Sequence, residues 1–174
     1  MRLLVLGSHG QMGRCLRDRL ERTDHEVYFA SREKIDIADL TKTRGYIIEV
    51  RPTAVINVAA YTAVDSAEGD AERAQLINAE AVKNIAEACK IANCWLIHLS
   101  TNYVFDGTDK IPYREEHSTS ARGVYARSKL AGEIEIQLSG CLHVILRTAW
   151  VFSEYGSNFF KTILRLAQTE ETLR

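Results

Sequence analysis

Apolar residues along the chain come in short blocks separated by longer amphipathic stretches, and the two kinds alternate. Arg2–Leu6 is an apolar run closed by Gly7, the length and setting of a buried strand. Gln11–Arg22 carries Met12, Cys15, Leu16 and Leu20 on one side and reads as a helix. Glu26–Ala30 is a second strand. Thr41–Val50 is a short helix that stops before Arg51-Pro52, because a residue preceding proline is pushed out of helical geometry. Ala54–Ala60 is apolar nearly throughout, as in a strand covered on both faces. Glu72–Ala92 is the longest helical stretch, with Leu76, Ile77, Ala81, Ile85 and Ala88 at helical spacing. A fourth strand at Trp95–Leu99, a long loop, a helix around Tyr125–Leu138, a fifth strand at His143–Ala149 and a helix at Asn158–Ala167 complete the series. Strands that alternate with helices at this spacing make a parallel sheet, so the expected class is α/β, doubly wound.

Composition narrows this further. A length of 174 residues supports one hydrophobic core, and two prolines with no Ser/Gly-rich tract mark no boundary, so residues 1–174 read as one domain. Lys and Arg number 22 against 23 Asp and Glu, which leaves no basic excess for gripping a nucleic acid. The longest apolar run, Ala54–Ala60, is interrupted by Asn57 and far too short to span a bilayer. Met1–Gly7 reads as a strand opening rather than a signal peptide. Cys15, Cys89, Cys94 and Cys141 form no C-x-x-C pair and no metal-ligand spacing, so free, mostly buried thiols in a reducing cytoplasm, and no metal, are expected.

Between the first strand and first helix lies Gly7-Ser-His-Gly10-Gln11-Met12-Gly13, a G-x-x-G-x-x-G pattern. Such a loop needs glycine for a tight turn, for close backbone approach to a pyrophosphate and for close helix–strand packing. The helix start then offers free N–H groups and a positive dipole end. The position, directly after a strand and opening a helix, is what a dinucleotide site requires. A Rossmann-type NAD(P)-binding domain follows. An enzyme gripping a ribose 2′-hydroxyl would place Asp or Glu at the end of the second strand. Ser31-Arg32 stands there instead and suits a 2′-phosphate, favouring NADPH over NADH; a plain surface arginine is the alternative. Asp36-Ile37 follows as an acidic–apolar pair for the adenine.

Tyr125-Ala-Arg-Ser-Lys129 places a phenol and an ammonium on one helix face, four residues apart. Thr101 leaves the C-terminal end of the fourth strand, where a hydroxyl can bond a substrate carbonyl; its alternative role is a turn or cap. Together they form a candidate catalytic triad, Thr101, Tyr125 and Lys129. A carbonyl receiving hydride develops oxyanion character and must be protonated. A phenol of pKa ~10 is a poor acid at neutral pH, so Lys129 is expected to lower it. His98, alternating with apolar neighbours, reads as a satisfied core histidine. Asp65-Ser-Ala-Glu68 has the spacing of a helix capping box. Arg147, in an apolar strand end, calls for a carboxylate or carbonyl partner, and Trp150 could equally be core.

Five motifs in order, Gly7…Gly13, Asn57-Val-Ala-Ala-Tyr-Thr-Ala-Val-Asp65, Ser100-Thr-Asn-Tyr-Val-Phe-Asp-Gly107, Val124-Tyr-Ala-Arg-Ser-Lys-Leu-Ala-Gly-Glu133 and Leu146-Arg-Thr-Ala-Trp-Val-Phe152, resemble the dTDP-4-dehydrorhamnose reductase family. The resemblance implies a cytoplasmic oxidoreductase of the extended short-chain dehydrogenase type. Its reaction would be NADPH-dependent reduction of the 4-keto group of dTDP-4-dehydro-L-rhamnose to dTDP-L-rhamnose, with NADH as a second cofactor. It implies Ala59, Ala60 and Thr62 against the cofactor, Tyr125 and Lys129 touching it as well, and Val64, Tyr103 and Trp150 facing the nucleotide sugar. A homodimer is left open. Two other readings are a dinucleotide-binding regulatory relative, like the regulatory subunit of methionine adenosyltransferase, and another sugar-nucleotide-modifying enzyme of the same fold.

The sequence departs from the family at Asn102, where Asp is usual, at Ala121 and Gly123, where Pro and Asn are usual, and at Ala126, where Gly is usual. Family members continue with a smaller C-terminal substrate domain beyond the stretch that ends Glu170-Glu-Thr-Leu-Arg174. The expectation is therefore a portion that binds cofactor but is nearly inactive on the dTDP-sugar, with an unpaired sheet edge prone to self-association.

Overall fold

The computed structural model of the chain describes residues 1–170 and 172. The expected continuation of the family pattern past Glu170 lies outside those residues. Five strands, β1 (Arg2–Leu6), β2 (Glu26–Ala30), β3 (Ala54–Asn57), β4 (Trp95–Thr101) and β5 (His143–Thr148), form one parallel sheet in the order β2-β1-β3-β4-β5. Leu4, Val5, Leu6, Val55 and Leu96 are fully buried. Each such side chain stabilises the fold by roughly 1.5–3 kcal/mol relative to exposure. Helices α1 (Gln11–Leu20), α2 (Leu40–Val50), α5 (Ala81–Ala92), α6 (Gly123–Ser139) and α7 (Phe159–Leu166) alternate with the strands, with the short α3 (Val64–Ala67) and α4 (Ala71–Gln75) between β3 and α5. The α/β reading is borne out.

Element ends differ from the sequence reading in physically informative ways. The predicted strand Ala54–Ala60 stops at Asn57, because β3 leaves the sheet as soon as its chain enters the cleft. The predicted helix Glu72–Ala92 is interrupted by a π-helical turn at Leu76–Glu80. That turn turns Asn78 inward, where its amide donates to the Tyr61 carbonyl and the Ser128 hydroxyl and accepts from the Tyr61 N–H, all within 3.0 Å. Helix α6 closes on it so tightly that a Cβ at Gly132 would sit 2.1 Å from the Asn78 carbonyl. Helix α2 ends at Val50 as expected, Arg51 taking a left-handed φ of 49° before Pro52. The capping box at Asp65 is not formed: α3 starts at Val64 and its cap, Ala63, makes no side-chain bond. Glu68 is instead recruited by the start of α6, accepting from the Val124 N–H at 2.7 Å. The cysteines are free, and Cys89, Cys94 and Cys141 are buried.

Strand order reverses between β1 and β3. The chain leaves β1 toward β2 on one side and returns to β3 on the other, so the loops after β1 and β3 diverge and leave a crevice at their C-terminal ends.

Candidate active site

That crevice is a cleft of about 1050 Å³, at the upper end of the roughly 300–1,000 Å³ typical of ligand pockets. The glycine loop forms its floor. Gly7 has φ +86°, and a Cβ there would meet the Ala59 backbone nitrogen at 2.7 Å. The first glycine is thus demanded twice, by the turn and by the neighbouring strand's exit. Gly13 lies beneath the loop, where a Cβ would strike the Gly7 carbonyl at 2.3 Å. The loop is tied to β2 by the Gly7 and Ser8 N–H groups, both donating to the Ala30 carbonyl. Over Gly10 the space is open, the nearest atom to an added Cβ being the Gly7 carbonyl at 3.4 Å. Gly10 caps α1 without a side-chain bond. The open face over Gly10 and the uncapped start of a ten-residue helix fit the phosphates of a dinucleotide.

Of the residues anticipated for the cofactor, Gly7, Gly10, Gln11, Met12, Arg32, Asp36, Ile37, Ala59, Ala60, Thr62, Tyr125 and Lys129 line this cleft. Gly13 and Ser31 do not; the first packs below the loop and the second is buried at the end of β2. Arg32 is largely exposed, and its Nε donates to Asp36 at 3.1 Å. Arg73, on α4, approaches the same carboxylate at 3.7 Å and also lines the cleft. Burial pushes the Asp36 carboxyl up, but the Ala38 N–H, and after it Arg32 and Arg73, outweigh that and hold it below its usual range. Arg73 was invisible to sequence reading, since it reaches the second strand's end from a distant helix.

Thr101, Tyr125 and Lys129 line the same cleft, together with Tyr103 and Trp150. The rings of Tyr103 and Tyr125 meet edge to face at 6.0 Å between centroids. Burial pushes the Tyr125 phenol up, the Thr101 hydroxyl opposes that, and Tyr103 adds to it. This corrects the expectation that Lys129 lowers the phenol. The lysine nitrogen is turned the other way, donating to the Leu99 carbonyl at 2.7 Å and standing 3.3 Å from His98 Nε2. Lys129 is 2% exposed, and burial pulls its ammonium down to about 8, with Glu133 pulling back. Val64 stands outside the cleft lining.

Trp150 is 71% exposed, so the core reading fails for it. It holds a left-handed φ of 52° at the cleft mouth with its ring 4.8 Å from Phe159. For a bulky residue that conformation costs on the order of 1–3 kcal/mol and is a feature of binding surfaces. Arg147 has both partners expected of it. It grips Glu133 at 2.7–3.2 Å and also donates to the Glu115 carbonyl. Glu133, 1% exposed, also accepts from Ser100 and so welds α6, β4 and β5 directly behind the triad. Among the described residues no helix is long and apolar enough to cross a membrane, and no cluster of three or more His, Cys, Asp or Glu could hold a metal ion.

Comparison with known proteins is consistent with this geometry. The family model described as the RmlD substrate binding domain matches residues 1–174. The dTDP-4-dehydrorhamnose reductase of Sinorhizobium fredii is 42% identical over 173 residues, and that of Salmonella typhimurium 40% over 176; each match takes in 99% of this chain. The chain spans 58% and 59% of the length of those two relatives. A crystal structure of the Bacillus anthracis dTDP-4-dehydrorhamnose reductase in complex with NADP overlays with a TM-score of 0.94 at 34% identity, covering 98% of this chain and 60% of that one.

Proposed function

The chain belongs to the RmlD substrate binding domain family, and on that premise we propose that it is the dinucleotide-binding portion of an NADPH-dependent reductase acting on the 4-keto group of dTDP-4-dehydro-L-rhamnose. The observation that carries the proposal is one of placement: Thr101, Tyr125 and Lys129 line the same cleft as the glycine loop. Names borne by relatives at about 40% identity over nearly all of this chain support the substrate, and the NADP of the Bacillus anthracis structure supports the cofactor.

In this reading NADPH supplies the hydride. Gly7, Gly10 and the first turn of α1 hold the pyrophosphate, with backbone N–H groups as donors. Arg32 and Arg73 take the 2′-phosphate, exchanging part of their hold on Asp36 for it. Thr101 donates a hydrogen bond to the ketone oxygen, and Tyr125 delivers the proton that the developing alkoxide requires. Lys129 stabilises the phenolate left behind by turning its ammonium from Leu99 toward the ring. Tyr103 and Trp150 face the nucleotide sugar. Four free thiols suit a reducing cytoplasm.

The test is oxidation of NADPH in the presence of dTDP-4-dehydro-L-rhamnose by the wild type and Tyr125→Phe. A general acid contributes about 10²–10⁴-fold, so kcat falls by at least about 100-fold while cofactor affinity stays put. Near-normal turnover in Tyr125→Phe removes the tyrosine from the mechanism.

A further inference from the structure

Behind the cleft three fully or almost fully buried polar side chains, Asn57, His98 and Lys129, form a chain of contacts across β3, β4 and α6. The Ala59 N–H donates to Asn57 Oδ1 at 3.2 Å, which fixes the orientation of the amide. Asn57 Nδ2 therefore faces His98 Nδ1, 3.1 Å away, and donates to it. A ring nitrogen that accepts carries no proton, so a neutral imidazole keeps its proton on Nε2. Burial holds His98 well below its ordinary range, so neutral is its state at physiological pH. Nε2–H then points at Lys129 Nζ across 3.3 Å.

An ammonium has three donors and no lone pair, so it cannot accept that proton; an amine can. The amine receives Nε2–H while donating to the Leu99 carbonyl, and every contact in the chain is satisfied. Protonating Lys129 sets two donors against each other. Relief would need the other imidazole tautomer, which sets Nδ1–H against the Asn57 amide. Flipping that amide would in turn oppose the Ala59 N–H. The conflict can be moved along the chain but not removed, and a buried unsatisfied donor costs about 1–3 kcal/mol.

We propose that His98 is a positioning residue that, with Asn57 behind it, favours the amine of Lys129 over its ammonium and so lowers the pH above which the lysine meets Tyr125 uncharged. The inference rests on the reading of Lys129 as part of a reductase site. The other charged group acting on the lysine is Glu133, on its own helix. Glu133 favours the ammonium, but its carboxylate is already engaged by Arg147 and Ser100. Tyr125 is held neutral by burial. Burial lowers the lysine, and the histidine, whose Nε2 stands 3.3 Å from Nζ, is the neighbour whose proton position adds to it.

Long-range proton–nitrogen spectra of the ¹⁵N-labelled wild type read the tautomer directly, with no variant needed. The expected result is Nε2–H for His98 between pH 7 and 9, with the Lys129 side chain titrating near 8. Asn57→Asp is the complementary variant, since a carboxylate accepts from both the Ala59 N–H and Nδ1–H. It should switch His98 to the Nδ1–H tautomer and raise the Lys129 midpoint by at least about one pH unit, roughly tenfold in proton affinity. Wild-type His98 with its proton on Nδ1, or an unmoved Lys129 midpoint in folded Asn57→Asp, overturns the proposal. If that variant does not fold, the wild-type tautomer decides alone. Neither spectrum involves cofactor or sugar, so failure to bind NADPH would refute the reductase reading and leave this inference standing.

Discussion

The two sides of the sheet are built to different standards of closure. On the β1–β3 side, four of five residues of β1 are buried and the strands sit under helices on both faces, with Leu4, Leu6, Val55 and Ile85 sealed from solvent. On the β5 side the strand alternates between half-buried and exposed positions, leaving Val144 and Leu146 more than 40% exposed. Helix α7 buries none of its residues and presents Phe159, Phe160 and Leu164 outward. The polar chemistry lies between the two. Lys129, His98 and Glu133 are anchored to the closed side and to β4, whereas Trp150 and Phe159 rim the cleft from the open side. The closed half therefore holds the polar contacts around the candidate triad, and the open half offers apolar surface at the rim of the cleft.

The largest expected effect lies at the weld between the halves. Glu133→Ala leaves Arg147 without its carboxylate and Ser100 without its acceptor. Breaking a buried pair on one side costs about 3–5 kcal/mol, to be read as a fall in the urea midpoint at pH 7. A loss below about 1 kcal/mol would mean the two halves are not held together there.

Gly13→Ala comes next. A methyl 2.3 Å from a backbone carbonyl has no flexible side chain to push aside. Overpacking of this kind costs about 1–3 kcal/mol, and the displaced loop should weaken NADPH binding at least about tenfold. Wild-type affinity in this variant would detach the loop from the cofactor.

Lys129→Met is expected to stabilise. In the folded protein the lysine gives up its proton near 8, against 10.5 when free. The unfolded chain thus holds more protons between those values, and wild-type stability rises with pH across that window. Below pH 8 the buried charge costs about 3 kcal/mol. Losing the bond to the Leu99 carbonyl returns about 1 kcal/mol, so the net gain is about 2 kcal/mol at pH 7 and turns into a loss of about 1 kcal/mol above pH 10.5. Melting curves of both proteins from pH 6 to 11 check it; a gain that ignores pH would contradict the assigned cause.

The smallest effect belongs to the open side. Leu146→Lys should change stability by less than about 0.5 kcal/mol while reducing self-association along the β5 edge in sedimentation runs. A large destabilisation would show that β5 is more closed than its exposure indicates.

The same division separates what could be read from sequence from what could not. The closed half writes itself in local pattern: the run Arg2–Leu6 ending in glycine, the Pro52 that stops α2, and the i, i+4 spacing of Tyr125 and Lys129 all act over a few residues. The features that escaped depend on partners far along the chain. Arg73 meets Asp36 from another helix, and Glu68 abandons a local cap for the start of α6, 56 residues on. The direction of the Lys129 nitrogen is set by a histidine 31 residues away. His98 was legible as a satisfied core residue, and it is one, but its touch on Lys129 needed the register of β4. The π-helical turn at Leu76–Glu80 has no signature in apolar spacing, since one extra residue in a long helix barely shifts the pattern.

Arg32 should set the nucleotide preference of the cleft above the glycine loop. Titration of NADPH and NADH into the wild type and Arg32→Ala decides this. Both nucleotides should bind saturably, NADPH the tighter, with the variant losing about tenfold or more for NADPH alone, the worth of a charged hydrogen bond. No saturable binding of either nucleotide to the folded wild type would contradict it.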